Sequence, residues 1–299
     1  MLPEETRVGL RNAGAPAPVD GTIYILLPVH DRRAVTEAFV RSLLDQSDQG
    51  FHLVLIDDGS TDGTADGVTA LLPSTTVLRG RGSWWWAGSL QQGQRWLATR
   101  PLGARDLVLL INDDTRIEPT FLARARTALA DSHRTLLMAR MFDLDSGEYL
   151  ELGVRVNWRR LTFKAVLDDP ARVNCLSTRG LFLNAADFVE LGGFHPRLLP
   201  HYLSDYAFTI RAFRQGFSLV TDPGIRLWKD PTTTGIKGPK RTAGAFLRST
   251  LTRRSPSNPI YMSTFVLITS PRRRVAGNLV IVWRRYVRAL RRARRGGGS

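Results

Sequence analysis

The chain has 299 residues, of which 43% are hydrophobic and 23% are charged, and its formal net charge is +15 at pH 7. This length suits one large domain, or one domain with a small appendage, with a substantial buried core. The single cysteine, Cys175, excludes an intramolecular disulfide and a cysteine-rich zinc site. The N-terminus lacks the basic flank and apolar run of a signal peptide, and no apolar stretch approaches the roughly 20 residues that span a bilayer, so we expect a cytoplasmic protein.

The excess positive charge is confined to the C-terminal part of the chain. Residues 231–299 contain 16 Lys or Arg and no Asp or Glu, so residues 1–230 carry 26 basic and 27 acidic side chains. A nearly neutral body with a basic tail disfavours a nucleic-acid-binding groove built into the fold. It indicates an appendage that binds an anionic surface.

Strands and helices alternate through the first 118 residues. Residues 22–29 are rich in Ile, Leu and Val and predict a strand, and apolar residues then recur at helical spacing over 35–44. Three more strands are predicted at residues 51–56, 75–78 and 107–111. The alternation predicts right-handed crossovers and a parallel sheet, which is an α/β fold. The pattern over residues 135–228 is more mixed, with strands predicted at 136–141, 181–183 and 218–220.

Acidic residues follow two of these strands. The apolar run 107–111, typical of a buried parallel strand, stops at Asp113 and Asp114. Open α/β sheets bind ligands at the carboxyl ends of their strands, and paired carboxylates there suit Mg²⁺ or Mn²⁺ bridging nucleotide phosphates. The second strand ends at Asp57 and Asp58, where a carboxylate can accept the N3–H of uracil or thymine. The alternatives are an ordinary turn at 112–115 and a helix cap at Asp57 or Asp58.

Three segments, taken in order, resemble the inverting glycosyltransferases of family 2. They are Pro28-Val29-His30-Asp31-Arg32, residues 56–64, and Asn112-Asp113-Asp114. The resemblance covers about residues 22–235 and implies the GT-A fold, in which a mixed, mostly parallel sheet is flanked by helices. It implies a nucleotide-sugar half over about 20–118 and an acceptor half over about 119–235. It also implies the following roles: nucleotide binding by Pro28, Val29, His30, Arg32, Asp58 and Asp113, and binding of Mg²⁺ or Mn²⁺ by Asp114.

Three adjacent tryptophans, Trp84 to Trp86, lie in the glycine-rich segment 80–88. Consecutive residues cannot all face one core, so at least one indole is expected in a cleft or at the surface, where a sugar can stack on it. The alternative is that the three rings only fill space in the structure. The segment is similar to the Trp-Trp-x-Gly segment of bacterial rhamnosyltransferase-like members of the family. That similarity implies sugar contacts by Trp85, Trp86 and Gly88, and by Gln91, which stands where an Asn is usual.

Residues 201–206 resemble the Glu-Asp motif of the family, which implies that Asp205 is the catalytic base. Ser204 replaces the Glu and is assigned to the acceptor sugar; the alternative is that Asp205 only caps a helix. Residues 228–235 resemble the flexible segment that closes over the donor phosphates. Lys229 stands where many relatives carry a His, and its ammonium can neutralise phosphate, unless it is a solvated loop lysine.

The basic tail, over residues 236–295, predicts an amphipathic helix. Its apolar stripe is Leu279, Val282, Trp283, Tyr286 and Leu290, and most of its arginines lie off that stripe. Such a helix suits an anionic membrane surface. Nucleic acid would also accept the arginines, but the wide apolar stripe favours lipid, and no nucleic-acid partner is expected. We interpret residues 296–299 as a linker remnant.

The sequence therefore predicts a metal-dependent inverting glycosyltransferase at the inner face of the cytoplasmic membrane. We expect a UDP- or dTDP-sugar donor and a lipid-linked or growing bacterial surface polysaccharide as acceptor. A sugar-phosphate nucleotidyltransferase is the first alternative, but it needs a glycine-rich basic loop after the first strand, which residues 28–32 do not supply. The second is a non-enzymatic protein that binds through its basic tail, which the carboxylates at 58, 114 and 205 disfavour.

Overall fold

The computed structural model describes residues 21–229, 248–253, 255 and 257–295. These residues contain a nine-stranded sheet. Its strands are β1 (Ile23–Val29), β2 (Phe51–Asp57), β3 (Thr76–Arg79), β4 (Leu107–Leu110), β5 (Thr115–Ile117), β6 (Thr135–Asp143), β7 (Tyr149–Glu151), β10 (Leu181–Asn184) and β11 (Ser218–Lys229). The hairpin β8 (Gly153–Asn157) and β9 (Thr162–Val166) lies outside this sheet. The strand order is β3-β2-β1-β4-β10-β6-β11-β5, with β7 paired to β6.

The first half of the sheet, β3-β2-β1-β4, is wholly parallel, which confirms the four strands predicted before residue 118. The second half is mixed: β6 and β11 pair in parallel, whereas β10 is antiparallel to both β4 and β6. The strands predicted at 136–141, 181–183 and 218–220 are all present. Strand β11 continues to Lys229. It pairs with β6 on both sides of a register shift between Asp222 and Arg226, and its residues 227–229 also pair with β5.

Helices cover both faces of the sheet. They are α1 (Arg33–Leu44), α2 (Thr64–Leu71), α3 (Trp85–Leu97), α4 (Phe121–Leu129), α5 (Ala185–Glu190) and α6 (Ser204–Arg214). Alternation along β1 sends Ile25 and Leu27 to the face covered by α1, α2 and α4, and Leu26 to the face covered by α3, α5 and α6. Because both faces are covered, the middle of the sheet is apolar: all of β4 and residues 53–56 of β2 are apolar and buried.

The C-terminal region forms two helices, α7 (Pro259–Thr269) and α8 (Val275–Arg295), and both pack on the domain. Phe265 of α7 is fully buried in a cluster with Ile210 of α6. The guanidinium of Arg285 in α8 donates to the carbonyl oxygens of Leu161 and Arg160, each at 2.8 Å. The basic tail is thus joined to the body by apolar packing and hydrogen bonds.

The predicted apolar stripe of α8 is divided between the body and solvent. Val282 is buried and Leu279 packs against the same cluster, so these two residues do not face outward as the sequence predicted. The large apolar residues of α8 that are exposed are Val280, Trp283 and Val287. Within the described ranges, no helix has the length and apolar character needed to cross a membrane.

Candidate active site

Three strands end at one edge of the sheet, as predicted. The parallel register pairs Val29 of β1 with Asp57 of β2. Strand β4 stays in register with β1 up to Leu110, three residues before Asp113. The acidic ends of β2 and β4 therefore lie on either side of the end of β1.

The predicted nucleotide-binding segment at the end of β1 is tied to β2. The carbonyl oxygen of Val29 accepts the N–H of Asp58 at 3.0 Å, and the imidazole Nδ1 of His30 lies 2.9 Å from the carbonyl oxygen of Asp58. Pro28 is half-buried, whereas 46% of the His30 side chain is exposed. These contacts leave His30 accessible to a ligand at the strand edge.

Asp113 and Asp114 share one cationic neighbour. The guanidinium Nε of Arg32 donates to Asp113 Oδ2 at 3.0 Å, and its Nη2 lies 3.9 Å from Asp114 Oδ2. The hydroxyl of Thr36 donates to the same Asp113 oxygen at 2.8 Å. Burial raises the pKa of the Asp113 carboxyl, and the charge of Arg32 opposes that rise.

The Asp58 carboxylate orders the tryptophan loop (residues 80–86). It accepts four consecutive backbone amides, those of residues 82–85, at distances between 2.8 and 3.1 Å. A carboxylate offers about four acceptor positions, so the loop uses all of them. Gly80 permits this approach, since a Cβ there would lie 2.5 Å from Asp58 Oδ1. The four amide bonds leave no acceptor position for the N3–H of a base, so the predicted contact between Asp58 and a nucleotide base finds no support in this structure.

The three tryptophans have different surroundings. Trp84 and Trp86 are half-buried and pack against the core face that carries α3. The Trp85 ring instead makes an edge contact with the His201 ring, with their centroids 6.1 Å apart. Trp85 has φ of +58°, a backbone conformation that bulky residues rarely adopt and that is held here by the Asp58 contact. The loop therefore joins the end of β2 to the segment before Asp205.

Gly88 and Gln91 have structural surroundings. Gly88 is buried, and a Cβ there would lie 3.1 Å from the Cβ of Trp84. The Gln91 side-chain nitrogen donates to the side-chain oxygen of Gln94 at 2.9 Å, and its own oxygen accepts the N–H of Phe194 at 2.6 Å. Both ends of the Gln91 amide are bonded within the protein, so the predicted sugar contact finds no support.

Asp205 lies in the first turn of α6, directly after Ser204. Burial raises the pKa of the Asp205 carboxyl, and the N–H of Tyr206, which donates to Oδ1 at 2.9 Å, opposes that rise. The Ser204 hydroxyl is 2.6 Å from the carbonyl oxygen of His201, to which it donates, so it fixes the turn before the helix. Leu203, directly before the helix, has φ of +67°, a strained backbone conformation like that of Trp85.

Lys229 lies beside the paired carboxylates. The antiparallel pairing of β11 with β5 places Lys229 opposite Thr115, the residue after Asp114. Burial lowers the pKa of Lys229, while the charges of Asp114 and Glu151 oppose that lowering. Lys229 is therefore not a solvated loop lysine. Residues 230–235 of the predicted phosphate-closing segment lie outside the described residues.

Two charged residues that interact with Asp205 and Lys229, namely Glu151 and Arg179, were not predicted. Burial raises the pKa of the Glu151 carboxyl. The positive charge of Arg179 opposes this rise, and the negative charge of Asp205 adds to it. Arg179 precedes Gly180, whose N–H donates to the carbonyl oxygen of Leu110 at 2.9 Å. That bond places Arg179 at the strand edge that carries the paired carboxylates.

The sequence held a signal for only one of these two residues. Arg179 and Gly180 directly precede the predicted strand 181–183, and Gly180 has φ of +74°. Binding residues lie disproportionately on loops held by a rigid scaffold, and Arg179 occupies such a position directly before a strand. Glu151 ends a three-residue edge strand, which is too short to show an alternating pattern.

The paired carboxylates fit a metal ion shared with a substrate. Within the described part of the chain, no group of three or more His, Cys, Asp or Glu side chains is placed to hold a metal ion. Mg²⁺ is usually bound by one or two carboxylates and by substrate phosphates, and Asp113 and Asp114 supply that number. The buried side-chain oxygen of Asn112 has no hydrogen-bond partner among the described residues and adds a potential ligand.

The sequence profile of glycosyl transferase family 2 matches residues 24–180, which is more than half of the chain. The chain belongs to this family. The match includes the ends of β1, β2 and β4 and therefore all three acidic or basic segments of the strand edge. No curated protein matches the chain.

Solved glycosyltransferases share the fold with this family 2 chain. GalNAc-T7 with UDP, GalNAc and Mn²⁺ has a TM-score of 0.59 and 11% identity, covering 89% of this chain and 55% of that one. The mannosyltransferase PcManGT of Pyrobaculum calidifontis with GDP-Man and Mn²⁺ has a TM-score of 0.58 and 14% identity, and the match covers 93% of this chain and 75% of that one. S. aureus TarS 1-349 with UDP has a TM-score of 0.53 and 14% identity, and the match covers 87% of this chain and 69% of that one. These similarities show the GT-A fold, and this chain spans just over half the length of GalNAc-T7.

Proposed function

We propose that this family 2 chain is a metal-dependent inverting glycosyltransferase that uses a UDP- or dTDP-sugar. Three solved structures of the same fold are bound to UDP or GDP-Man, and two of these also contain Mn²⁺. The acceptor would be a lipid-linked or growing bacterial surface polysaccharide, as in the rhamnosyltransferase-like members that the tryptophan loop resembles. A sugar-phosphate nucleotidyltransferase is disfavoured by the family assignment.

One observation carries this proposal. A continuous set of charge interactions runs from Asp114 through Lys229 to Glu151, and from Glu151 to Asp205. These shared charged neighbours support the proposal that the metal-binding carboxylate and the base serve one reaction, although they are far apart in sequence. An isolated helix cap at residue 205 would have no reason to share charged neighbours with the strand edge.

The proposed chemistry needs a proton acceptor and a stabilised leaving group. Asp205 would take the proton of the acceptor hydroxyl as that oxygen attacks the sugar carbon, and the raised pKa of its carboxyl makes it a stronger base. Arg32 and Lys229 would hold the diphosphate and neutralise its growing charge. A divalent ion, when bound at Asp114, would supply further charge neutralisation. Attack from the face opposite the leaving group inverts the configuration at the sugar carbon.

The second part of the proposal is peripheral attachment to the inner face of the cytoplasmic membrane. Trp283 and Val287 of α8 are exposed, and the exposed Arg284 and Arg288 lie next to them. On α7, Leu267 is 59% exposed. A tryptophan flanked by arginines suits an anionic lipid surface, where each surface-proximal Arg contributes about 1 kcal/mol.

The test is a screen of nucleotide sugars with matched variants. Donor hydrolysis would be measured with UDP-, dTDP- and GDP-sugars in the presence of Mn²⁺ or Mg²⁺. We expect turnover of a uridine or thymidine donor, which is lost in Asp114→Asn and retained in Asp131→Asn, where an exposed carboxylate outside the candidate site is replaced. Turnover that persists in excess chelator, or in Asp114→Asn, would contradict the metal-dependent mechanism.

A further inference from the structure

A cavity of about 370 Å³ opens between the tryptophan loop, residues 196–200 and the C-terminal region. Its walls include the rings of Trp84, Trp85 and Tyr261, and Gln92 supplies an amide. Small-molecule sites typically enclose roughly 300–1,000 Å³ and combine apolar walls with a few polar groups. Aromatic faces next to an amide suit a sugar ring, which has apolar C–H faces and hydroxyl edges.

The cavity is positively charged. Arg197 and Arg253 line it, and no acidic side chain of the described residues does. Arginine is the side chain best shaped to bind phosphate or carboxylate, because its planar guanidinium donates two parallel hydrogen bonds. A neutral saccharide could accept hydrogen bonds from these arginines, but an anionic group would form the stronger, charge-assisted bonds.

The cavity lies beside the segment that carries the proposed base. The N–H of Ala87 donates to the carbonyl oxygen of Pro200 at 3.0 Å, and Pro200 lines the cavity. Trp85 also lines it and contacts the His201 ring, shortly before Asp205 in the chain. A ligand in the cavity would therefore sit next to the turn that leads into α6.

We propose that this cavity binds the acceptor, and that the acceptor is a saccharide with a negatively charged group held between Arg197 and Arg253. The inference rests on the proposed function, because it assigns the acceptor of that same reaction. Asp114 and Lys229, the proposed metal and phosphate ligands, do not line this cavity, so we assign the cavity to the acceptor and not to the donor diphosphate. Phosphate and carboxylate share the required chemistry, and the experiment distinguishes them.

The experiment uses the full chain saturated with UDP and Mn²⁺, so that the donor site is filled. Glucose 1-phosphate, glucuronate and glucose are titrated separately, and binding is followed by tryptophan fluorescence and by saturation-transfer NMR. We expect at least one anionic probe to bind about tenfold more tightly than glucose, and the tighter probe identifies the charged group. The double substitution Arg197→Ala and Arg253→Ala should abolish this preference. Arg95→Ala, which removes an exposed arginine of α3, should retain it.

Three results would overturn the inference: equal binding of charged and neutral probes, a preference that survives the double substitution, or no saturable binding of any probe. UDP affinity measured in the same samples separates this inference from the proposed function. A wild-type chain that binds UDP and Mn²⁺ but shows no anion preference refutes only the acceptor assignment. A wild-type chain that does not bind UDP refutes the proposed function itself.

Discussion

Replacing Asp58 by asparagine should loosen the tryptophan loop and destabilise the fold. The aspartate accepts four amides with two oxygens, whereas an asparagine keeps one acceptor oxygen and presents an NH₂ group where the other stood. Two of the four hydrogen bonds are therefore lost. Hydrogen bonds to charged groups contribute roughly 1.5–3 kcal/mol each, and water can partly replace those of the exposed Gly82 and Ser83. We expect Asp58→Asn to lower the free energy of unfolding by about 3 kcal/mol.

The assay is urea unfolding with the near-ultraviolet circular dichroism of the tryptophans as a second signal. Gly80→Ala tests the same contact from the other side, because its Cβ would lie 2.5 Å from Asp58 Oδ1. Gly277→Ala is the matched control, since its Cβ would meet no atom within 4 Å and it lies in the helix α8. A loss below about 0.5 kcal/mol in Asp58→Asn, with an unchanged tryptophan spectrum, would refute the reasoning.

Three further results are expected. Phe265→Ala should lower the free energy of unfolding by about 3–5 kcal/mol, because this residue is fully buried. Leu267→Ala, on the exposed side of α7, should lower it by under about 0.5 kcal/mol. Equal losses of stability in the two variants would contradict the packing of α7. Activity should rise with pH through a midpoint above about 3.9, the ordinary pKa of an aspartate, since the pKa of Asp205 is raised. As pH falls through that midpoint, the wild-type protein should gain stability because the folded state binds the proton more tightly, and Asp205→Asn should remove this gain. An activity midpoint at or below about 3.9 would contradict the raised pKa of Asp205. Trp283→Ser should weaken sedimentation with anionic vesicles, and Leu198→Ser, on an exposed part of the body, should not; equal effects would refute the membrane surface.

The sequence contained enough to predict the strand edge. The apolar runs before Asp57 and Asp113 are unbroken because both faces of the parallel strands are covered, so their ends could be read directly. The strands β5 and β7 were missed because each has three residues. The β8–β9 hairpin was also missed, since the exposed Arg155 and Lys164 interrupt the apolar residues of its strands. Glu151 was missed together with its strand.

Tertiary contacts decided what the sequence left open. The stripe on α8 predicts an amphipathic helix correctly, but periodicity does not say whether a face meets lipid or protein, and Val282 meets protein. Trp85 is held at a positive φ by the Asp58 contact across 27 residues, which no local pattern indicates. Gln91 was expected at the sugar, but its buried amide is bonded to Phe194 and Gln94.

We propose that Asp205 is the base of a sugar transfer whose donor binds at Asp114. The most direct test measures donor affinity by calorimetry and the transfer or hydrolysis rate in Asp205→Asn and Asp114→Asn, each against wild type in Mn²⁺. We predict that Asp205→Asn binds the nucleotide sugar with near-normal affinity and turns over about 10²–10⁴ times more slowly, because only the proton acceptor is lost. Asp114→Asn should lose the metal-dependent part of donor binding. Full turnover in Asp205→Asn, or equal loss of donor affinity in both variants, would contradict the account.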